Sequence, residues 1–253
     1  MLKQICRAIA LLIFTGVLSH AGMIISPTRQ EMTLMPGGSA MGIIRVTNDF
    51  GKPTDMSVET RYWYVSKDEE RTTKVTDWLT VTPSTFTFDA GETRNIKYSV
   101  KLSTGLTGMR AAMITFVPAS EGSNVTLVVS VSLYVTVAGT EKVAWDFSNF
   151  EIRNNEGSTQ LSVIANNSGN VHVRPSGSVR VIRGRKKEVK LDILEGNPVY
   201  PDQTRQMIAT GPTAQLFPKR GKYKIIFTLN NKGDMKTKTY NVVVEKNGVI
   251  TIK

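Results

Sequence analysis

Short runs of alternating apolar and polar residues, separated by turn-forming residues, cover most of this chain of 253 residues. The runs are rich in Val, Ile, Thr, Tyr and Phe, and such runs with a period of two are typical of β-strands. No stretch has an apolar period near 3.6 strong enough to indicate a helix instead. In the first half the predicted strands are residues 23–35, 40–48, 56–65, 78–88, 94–102, 110–117 and 124–137.

The second half continues the same pattern. Its predicted strands are residues 147–153, 159–166, 178–183, 188–194, 204–210, 221–230, 237–245 and 249–252. Residues that tolerate a positive φ stand between the strands, as in the segments 35–38 and 230–234. Seven or eight strands make one sandwich of the immunoglobulin type, which has about 100 residues. The fold class predicted from the pattern is therefore all-β, with two immunoglobulin-like β-sandwich domains in tandem.

The division between the domains is predicted at residues 138–142, where the long β run ends and a new apolar segment begins at Val143. The first 21 residues predict a cleaved secretory signal peptide, because Lys3 and Arg7 precede an apolar stretch and Ser19 and Ala21 precede the cut. That apolar stretch, residues 8–18, is shorter than the roughly 20 residues of a spanning helix. We therefore expect a signal peptide at 1–21, an N-terminal domain at 22–140, a C-terminal domain at 141–253 and no integral membrane segment.

Cysteine and histidine are too scarce for most metal or redox chemistry. Cys6 and His20 fall within the predicted signal peptide, so the exported chain would have no cysteine and a single histidine, His172. This excludes disulfides and sites with several histidines. Because His172 stands between Val171 and Val173, the pattern predicts a strand histidine on an outward face. We expect neither a metal nor a cofactor.

The motifs of common enzymes are also missing. The chain has no GxxxxGK[ST] phosphate loop, no GxGxxG dinucleotide motif and no GxSxG nucleophile turn. The acidic cluster at residues 68–70 has Lys67 and Arg71 beside it and is predicted to be a solvated loop. We therefore predict that the protein is not an enzyme.

Charge is unevenly divided between the two halves. Residues 22–142 contain 12 Lys or Arg and 12 Asp or Glu, whereas residues 143–253 contain 18 and 9. The densest basic run, residues 183–190, lies between two apolar segments and is predicted to be a solvated hairpin turn. The alternative is contact with an acidic partner or a membrane surface. No nucleic-acid partner is expected, because no recognition motif is present.

The segment 124–137 (NVTLVVSVSLYVTV) is the longest alternating run in the chain. Its length is about twice that of a common strand. Two interpretations are open: an ordinary last strand of the sandwich, or a strand with an apolar face that can complete the sheet of another protein. The apolar side of the run consists of Val125, Leu127, Val129, Val131, Leu133, Val135 and Val137.

Several segments, in order along residues 24–137, resemble the N-terminal domain of periplasmic chaperones of the chaperone/usher pilus pathway. The segment 24–29 (IISPTR) resembles the first strand of the family, and 44–49 (IRVTND) resembles the second. Residues 82–92 (TPSTFTFDAGE) are similar to its Thr-Pro segment that ends in a glycine turn. Residues 109–118 (MRAAMITFVP) and the run from Asn124 resemble its sixth and seventh strands.

This resemblance implies a periplasmic chaperone that stabilises pilin-like subunits by donating a β-strand and delivers them to an outer-membrane usher. The seventh strand would place Val125, Leu127, Val129 and Val131 in the groove of an immature subunit. Arg29 would hold the terminal carboxylate of the subunit in the cleft between the domains, in a charge-assisted contact.

The sequence departs from the family pattern at one important position. The family has a lysine on the seventh strand as a second carboxylate ligand, whereas this chain has Ser132 there, and Lys142 is the nearest basic residue after the strand. The second half resembles exported immunoglobulin-like domains in general. The alternative function is therefore that of an exported immunoglobulin-like structural or adhesive protein of the cell envelope. Self-association through an exposed edge strand is a further expectation.

Overall fold

The computed structural model describes residues 22–64, 77–119, 127–184, 187–246 and 248–253. The predicted signal peptide lies outside these residues. The first half folds into two sheets, with the strand orders β1-β3-β7-β5 and β2-β9-β8-β4-β6. The strands are β1 Gly22–Ser26, β2 Arg29–Leu34, β3 Ser39–Asp49, β4 Thr54–Tyr64, β5 Leu79–Thr82, β6 Thr85–Phe88, β7 Thr93–Lys101, β8 Met109–Pro118 and β9 Val129–Val137.

The second half also forms two sheets, with the orders β10-β11-β14 and β13-β12-β15-β16-β17. One helical turn, α1, spans Thr213–Leu216, and no helix in the described residues is long and apolar enough to cross a membrane. The strands are β10 Trp145–Asn155, β11 Ser158–Asn167, β12 Ser176–Arg183, β13 Lys187–Ile193, β14 Thr204–Pro212, β15 Gly221–Asn231, β16 Asp234–Val244 and β17 Ile250–Ile252.

The predicted fold class, all-β with two sandwiches, is confirmed by these four sheets, none of which combines described strands from both halves. Two predicted strands are each divided. The run 23–35 breaks after Ser26 and continues in the other sheet from Arg29, and the run 78–88 breaks at Pro83 and Ser84. Each break contains a proline, Pro27 or Pro83, which has no N–H to donate to a ladder.

Each sandwich encloses its own apolar core. The first contains Phe88, Phe116, Ile44 and Ile96, and the second contains Phe147, Phe227, Leu161 and Ile225. A smaller buried cluster joins the two halves. Its members are Met109, Ala111 and Tyr134 from the first half and Val171 and Tyr200 from the second.

A buried asparagine supports a turn in the same way in each sandwich. Asn48 Nδ2 donates to the carbonyls of Lys52 (2.8 Å) and Phe88 (3.0 Å), and Oδ1 accepts from the N–H of Phe50 (2.9 Å). Asn167 Nδ2 donates to the carbonyls of Val171 and Val199, both at 2.8 Å, and Oδ1 accepts from the N–H of Gly169 at 2.9 Å. Each side chain thus makes hydrogen bonds to three backbone groups around its turn.

We predict that Asn167→Ala lowers the free energy of unfolding by roughly 1 to 3 kcal/mol, because it removes the hydrogen bonds that its side chain makes to the Val171 carbonyl and the Gly169 N–H. Asn166→Ala is the matched control, since Asn166 is exposed and should change the stability by less than about 0.5 kcal/mol. Urea titration of the two variants measures the difference. Equal stabilities would show that water replaces the asparagine without cost.

Candidate functional site

Strand β9 has a neighbour on both sides along only part of its length. It pairs antiparallel with β8 from Val129 opposite Phe116 onwards. Its parallel pairing with β2 begins only where Arg29 lies opposite Ser132, and the N–H of Ser132 donates to the carbonyl of Thr28 at 3.1 Å. Among the described strands, residues 129–131 are therefore paired on one side only. Such an edge is a template for a further strand.

The solvent exposure of the apolar side chains decreases along residues 127–137. Leu127 and Val128 are exposed, with 44% and 46% of their surface accessible, and Val129 is half-buried at the border of the core. The following members of the row, Val131, Leu133, Val135 and Val137, are completely buried in the N-terminal core.

The predicted partner-binding residues on this strand therefore fall into three groups. Leu127 and Val129 keep accessible surface beside the free edge. Val131 packs inside its own domain, contrary to the expectation that it is donated, because the inward face of β9 already closes over the core between the sheets. Val125 lies outside the described residues.

Arg29 lies at the point where β2 joins β9. Its side chain is half-exposed, its Nη1 donates to Glu195 Oε1 of the second half at 2.9 Å, and its Nε is 3.6 Å from Glu31 Oε1. The hydrogen bond to Glu195 raises the pKa of Arg29 above its ordinary value, although partial burial opposes this. The guanidinium is thus already positioned to bind carboxylates across the cleft between the two halves.

Glu31 lies close to several basic residues in this cleft. Beyond Arg29, its carboxylate lies 3.4 Å from Arg174 Nε, 3.7 Å from His172 Nε2 and 3.8 Å from Lys232 Nζ. These three residues belong to the second half, and the side chains of His172 and Arg174 are only 5% and 9% exposed. The Glu31 carboxylate of β2 therefore links the first sandwich to a basic surface of the second.

Tyr134 of β9 forms the floor of the cleft. The Arg174 guanidinium lies over its ring at 5.0 Å, the His172 ring is 4.7 Å away, and its hydroxyl is 3.2 Å from that of Tyr200. Burial, with the hydrogen bond to Tyr134, raises the pKa of Tyr200. These contacts fix the position of the cleft relative to the free edge of the same strand.

The prediction for His172 is wrong. It lies outside the named strands, its N–H donates to Met109 Sδ at 3.0 Å, and its ring is enclosed between the sandwiches. The sequence also did not indicate Arg174 and Lys232 as cleft residues, because they approach Glu31 only through the packing of the two halves. The one available signal was weak: Arg174 is followed by Pro175, so the Val171 run is too short for an ordinary strand.

Lys142 lies in the connection between the halves, and its backbone is held by Asn170. Its N–H donates to Asn170 Oδ1 at 2.6 Å, and its carbonyl accepts from the N–H of Asn170 at 2.9 Å. The register places Ser132 directly opposite Arg29. The expectation that Lys142 supplies a second carboxylate ligand stays a prediction.

Comparison with known proteins shows that this chain is distantly similar in fold to several solved structures. No protein-family model and no curated protein matches the sequence. Among solved structures, the YadV chaperone is 16% identical (TM-score 0.48; 87% of this chain and 98% of that chain covered). The class 5 fimbriae chaperone CfaA is 14% identical, with a TM-score of 0.47, and the match covers 92% of this chain and 99% of that chain. The CupB2 chaperone of Pseudomonas aeruginosa is also 14% identical, with a TM-score of 0.45, and the match covers 85% of this chain and 98% of that chain. All three of these structures are of chaperones.

Burial lowers the pKa of His172 from 6.5 to about 4, against the opposing effect of Glu31 and with the help of Arg174 and Lys232. Above pH 6.5 the imidazole is neutral in both the folded and the unfolded chain. As the pH falls from about 6.5 to about 4, the unfolded chain binds a proton that the folded chain does not. We therefore predict a loss of roughly 2 to 3 kcal/mol of stability from this residue over that range.

His172→Gln should lack this part of the pH dependence. The measurement is the free energy of unfolding from neutral to acid pH for both proteins, and the difference between their slopes isolates the histidine from the carboxylates. Parallel curves would show that His172 is solvated in the folded protein.

Proposed function

We propose that this protein is a periplasmic chaperone that binds pilin-like subunits by adding the free edge of β9 to their incomplete sheet. The observation that carries the proposal is the late start of the β2–β9 pairing at Ser132. It leaves residues 129–131 open on one side, directly after the exposed Leu127 and Val128. The order of family-like segments along residues 24–137 supports the same proposal.

Strand addition explains both features of this edge. A subunit that lacks a strand exposes an apolar groove and two rows of unpaired backbone groups. The open backbone of β9 supplies hydrogen bonds, and side chains two residues apart lie on one face and can enter the groove. Leu127 and Val129 have this spacing, and full burial of each contributes about 1.5 to 3 kcal/mol. Val125 would extend the same row.

Further along β9, the side chains of the same row pack in the chaperone's own core. Val131 and Leu133 anchor β9 in the N-terminal sandwich, so the donated part is held by the buried part of the same strand. A short, firmly anchored edge pays little entropy when it binds, because its backbone is already extended.

Arg29 is the proposed ligand for the terminal carboxylate of the subunit. It lies one residue pair beyond the open edge, where a subunit strand paired with β9 would meet the cleft. In the free protein its Nη1 donates to Glu195, which therefore competes with a subunit carboxylate for the guanidinium. Lys142 is retained as a further carboxylate ligand in the proposal. Delivery to an outer-membrane usher and export by the signal peptide belong to the same proposal.

The first test separates donation from an ordinary core strand. Leu127→Asp should weaken binding of a pilin-like subunit more than tenfold, because a charge replaces an apolar anchor, and should change the stability by less than about 0.5 kcal/mol. Leu133→Ala should instead destabilise the fold by roughly 2 to 5 kcal/mol. The measurements are urea titration and co-purification with subunits co-expressed in the periplasm. If no subunit is recovered with the unaltered protein, the structural or adhesive alternative replaces the chaperone.

The second test concerns the carboxylate ligand. Arg29→Ala should weaken subunit binding by roughly tenfold to a hundredfold, the value of a charge-assisted hydrogen bond. Glu195→Gln should strengthen it several-fold, because it removes the internal competitor. Arg153→Ala is the control, since Arg153 is an exposed arginine that pairs with Glu151 on β10. Titration calorimetry with a subunit measures all three; unchanged binding by a folded Arg29→Ala would remove Arg29 from the site.

A further inference from the structure

The outer face of the sheet β13-β12-β15-β16-β17 combines apolar and basic side chains. Inward residues of β15, Tyr223, Ile225 and Phe227, are buried in the core, so the alternate residues point outward. The register places Ile182 opposite Lys224, and Lys222 opposite Val243. Together with Ile226 and Lys253, these side chains line a groove of about 790 Å³.

Most of the positive charge on this face is not neutralised. Arg180 pairs with Glu188 at 3.4 Å and Lys190 with Asp192 at 3.6 Å. In the part of the chain that the structure describes, Lys222, Lys224 and Lys253 make no ion pair. Arg183 adds a further cation at the same end of the sheet, where its Nη2 donates to the carbonyl of Arg220 at 3.2 Å.

The face suits an anionic lipid surface better than an acidic peptide. The backbone of the three inner strands is used within the sheet, and the free edges belong to β13 and β17. A peptide on the face would therefore have no main-chain partners. Binding to a bilayer needs only basic side chains that face the anionic headgroups and apolar side chains that enter the interface. A lysine meets both requirements, because its ammonium group stands at the end of a long apolar stem.

We propose that this face, with Lys222, Lys224 and Lys253 around Ile182, Ile226 and Val243, binds the surface of a bilayer that contains anionic phospholipid. The charge distribution along the chain would orient the molecule, because residues 22–142 have balanced charge whereas residues 143–253 are strongly basic. The binding is independent of the chaperone proposal, since its residues lie in the second half, away from the edge of β9.

The test is flotation of the exported protein with vesicles of phosphatidylcholine alone or mixed with phosphatidylglycerol. We expect binding only to the mixed vesicles, and loss of binding in high salt. Each cation near an anionic surface raises the affinity roughly fivefold, so Lys222→Gln/Lys224→Gln should weaken binding roughly 25-fold. Ile226→Ser keeps the charge and should weaken binding several-fold if apolar side chains enter the interface.

Lys97→Gln/Lys101→Gln is the matched control, because it removes the same charge from two exposed lysines of β7 in the first half. It should change the affinity less than about threefold. Equal loss in both double variants would overturn the proposal in favour of an unspecific effect of net charge. Binding of poly-glutamate but not of the mixed vesicles, abolished by the β15 variant, would overturn it in favour of an acidic protein partner.

Discussion

The first strand of the chain changes sheets between Ser26 and Arg29, and the organisation of the site depends on this crossing. Up to Ser26 the backbone pairs with β3, and from Arg29 onwards it pairs with β9. Every strand has only two sides for hydrogen bonds, so the late arrival of β2 leaves the beginning of β9 with an open side. The same crossing turns Arg29 and Glu31, two residues apart on one face, towards the second sandwich.

The two sandwiches meet through the small cluster around Tyr134 and Tyr200 and through ion pairs of two carboxylates, Glu31 and Glu195. Tyr134 and Tyr200 are buried between the sandwiches, and Glu31 faces the basic side chains of the second half beside them. The Arg174 side chain is only 9% exposed, so removing Glu31 would leave its guanidinium buried without its carboxylate partner. The arrangement therefore favours one relative position of the sandwiches, and with it one position of Arg29 beside the edge of β9.

The sequence predicts the strands well because alternation is a local property, fixed by the pleat of each strand. It does not predict where β1 ends, since the pattern of residues 23–35 continues across the break at Pro27. Nor does it distinguish Leu127 from Val131, which stand in one alternating row. Which of them is covered depends on how far the core between the two sheets extends, and distant residues of the chain such as Ile44 and Ile96 form that core. His172 shows the same limit: the carboxylate that it faces belongs to the other sandwich.

The proposed partner surfaces differ in the forces that would hold them. A strand added to β9 is bound by main-chain hydrogen bonds and apolar side chains, which salt affects little. Contact of Lys222 and Lys224 with an anionic bilayer is electrostatic, and ions screen it within about 10 Å at moderate ionic strength. The edge of β9 lies in the half with balanced charge, so a membrane would attract the basic half without attracting the edge. A molecule held by its second sandwich would therefore keep the strand of its first sandwich accessible to a partner.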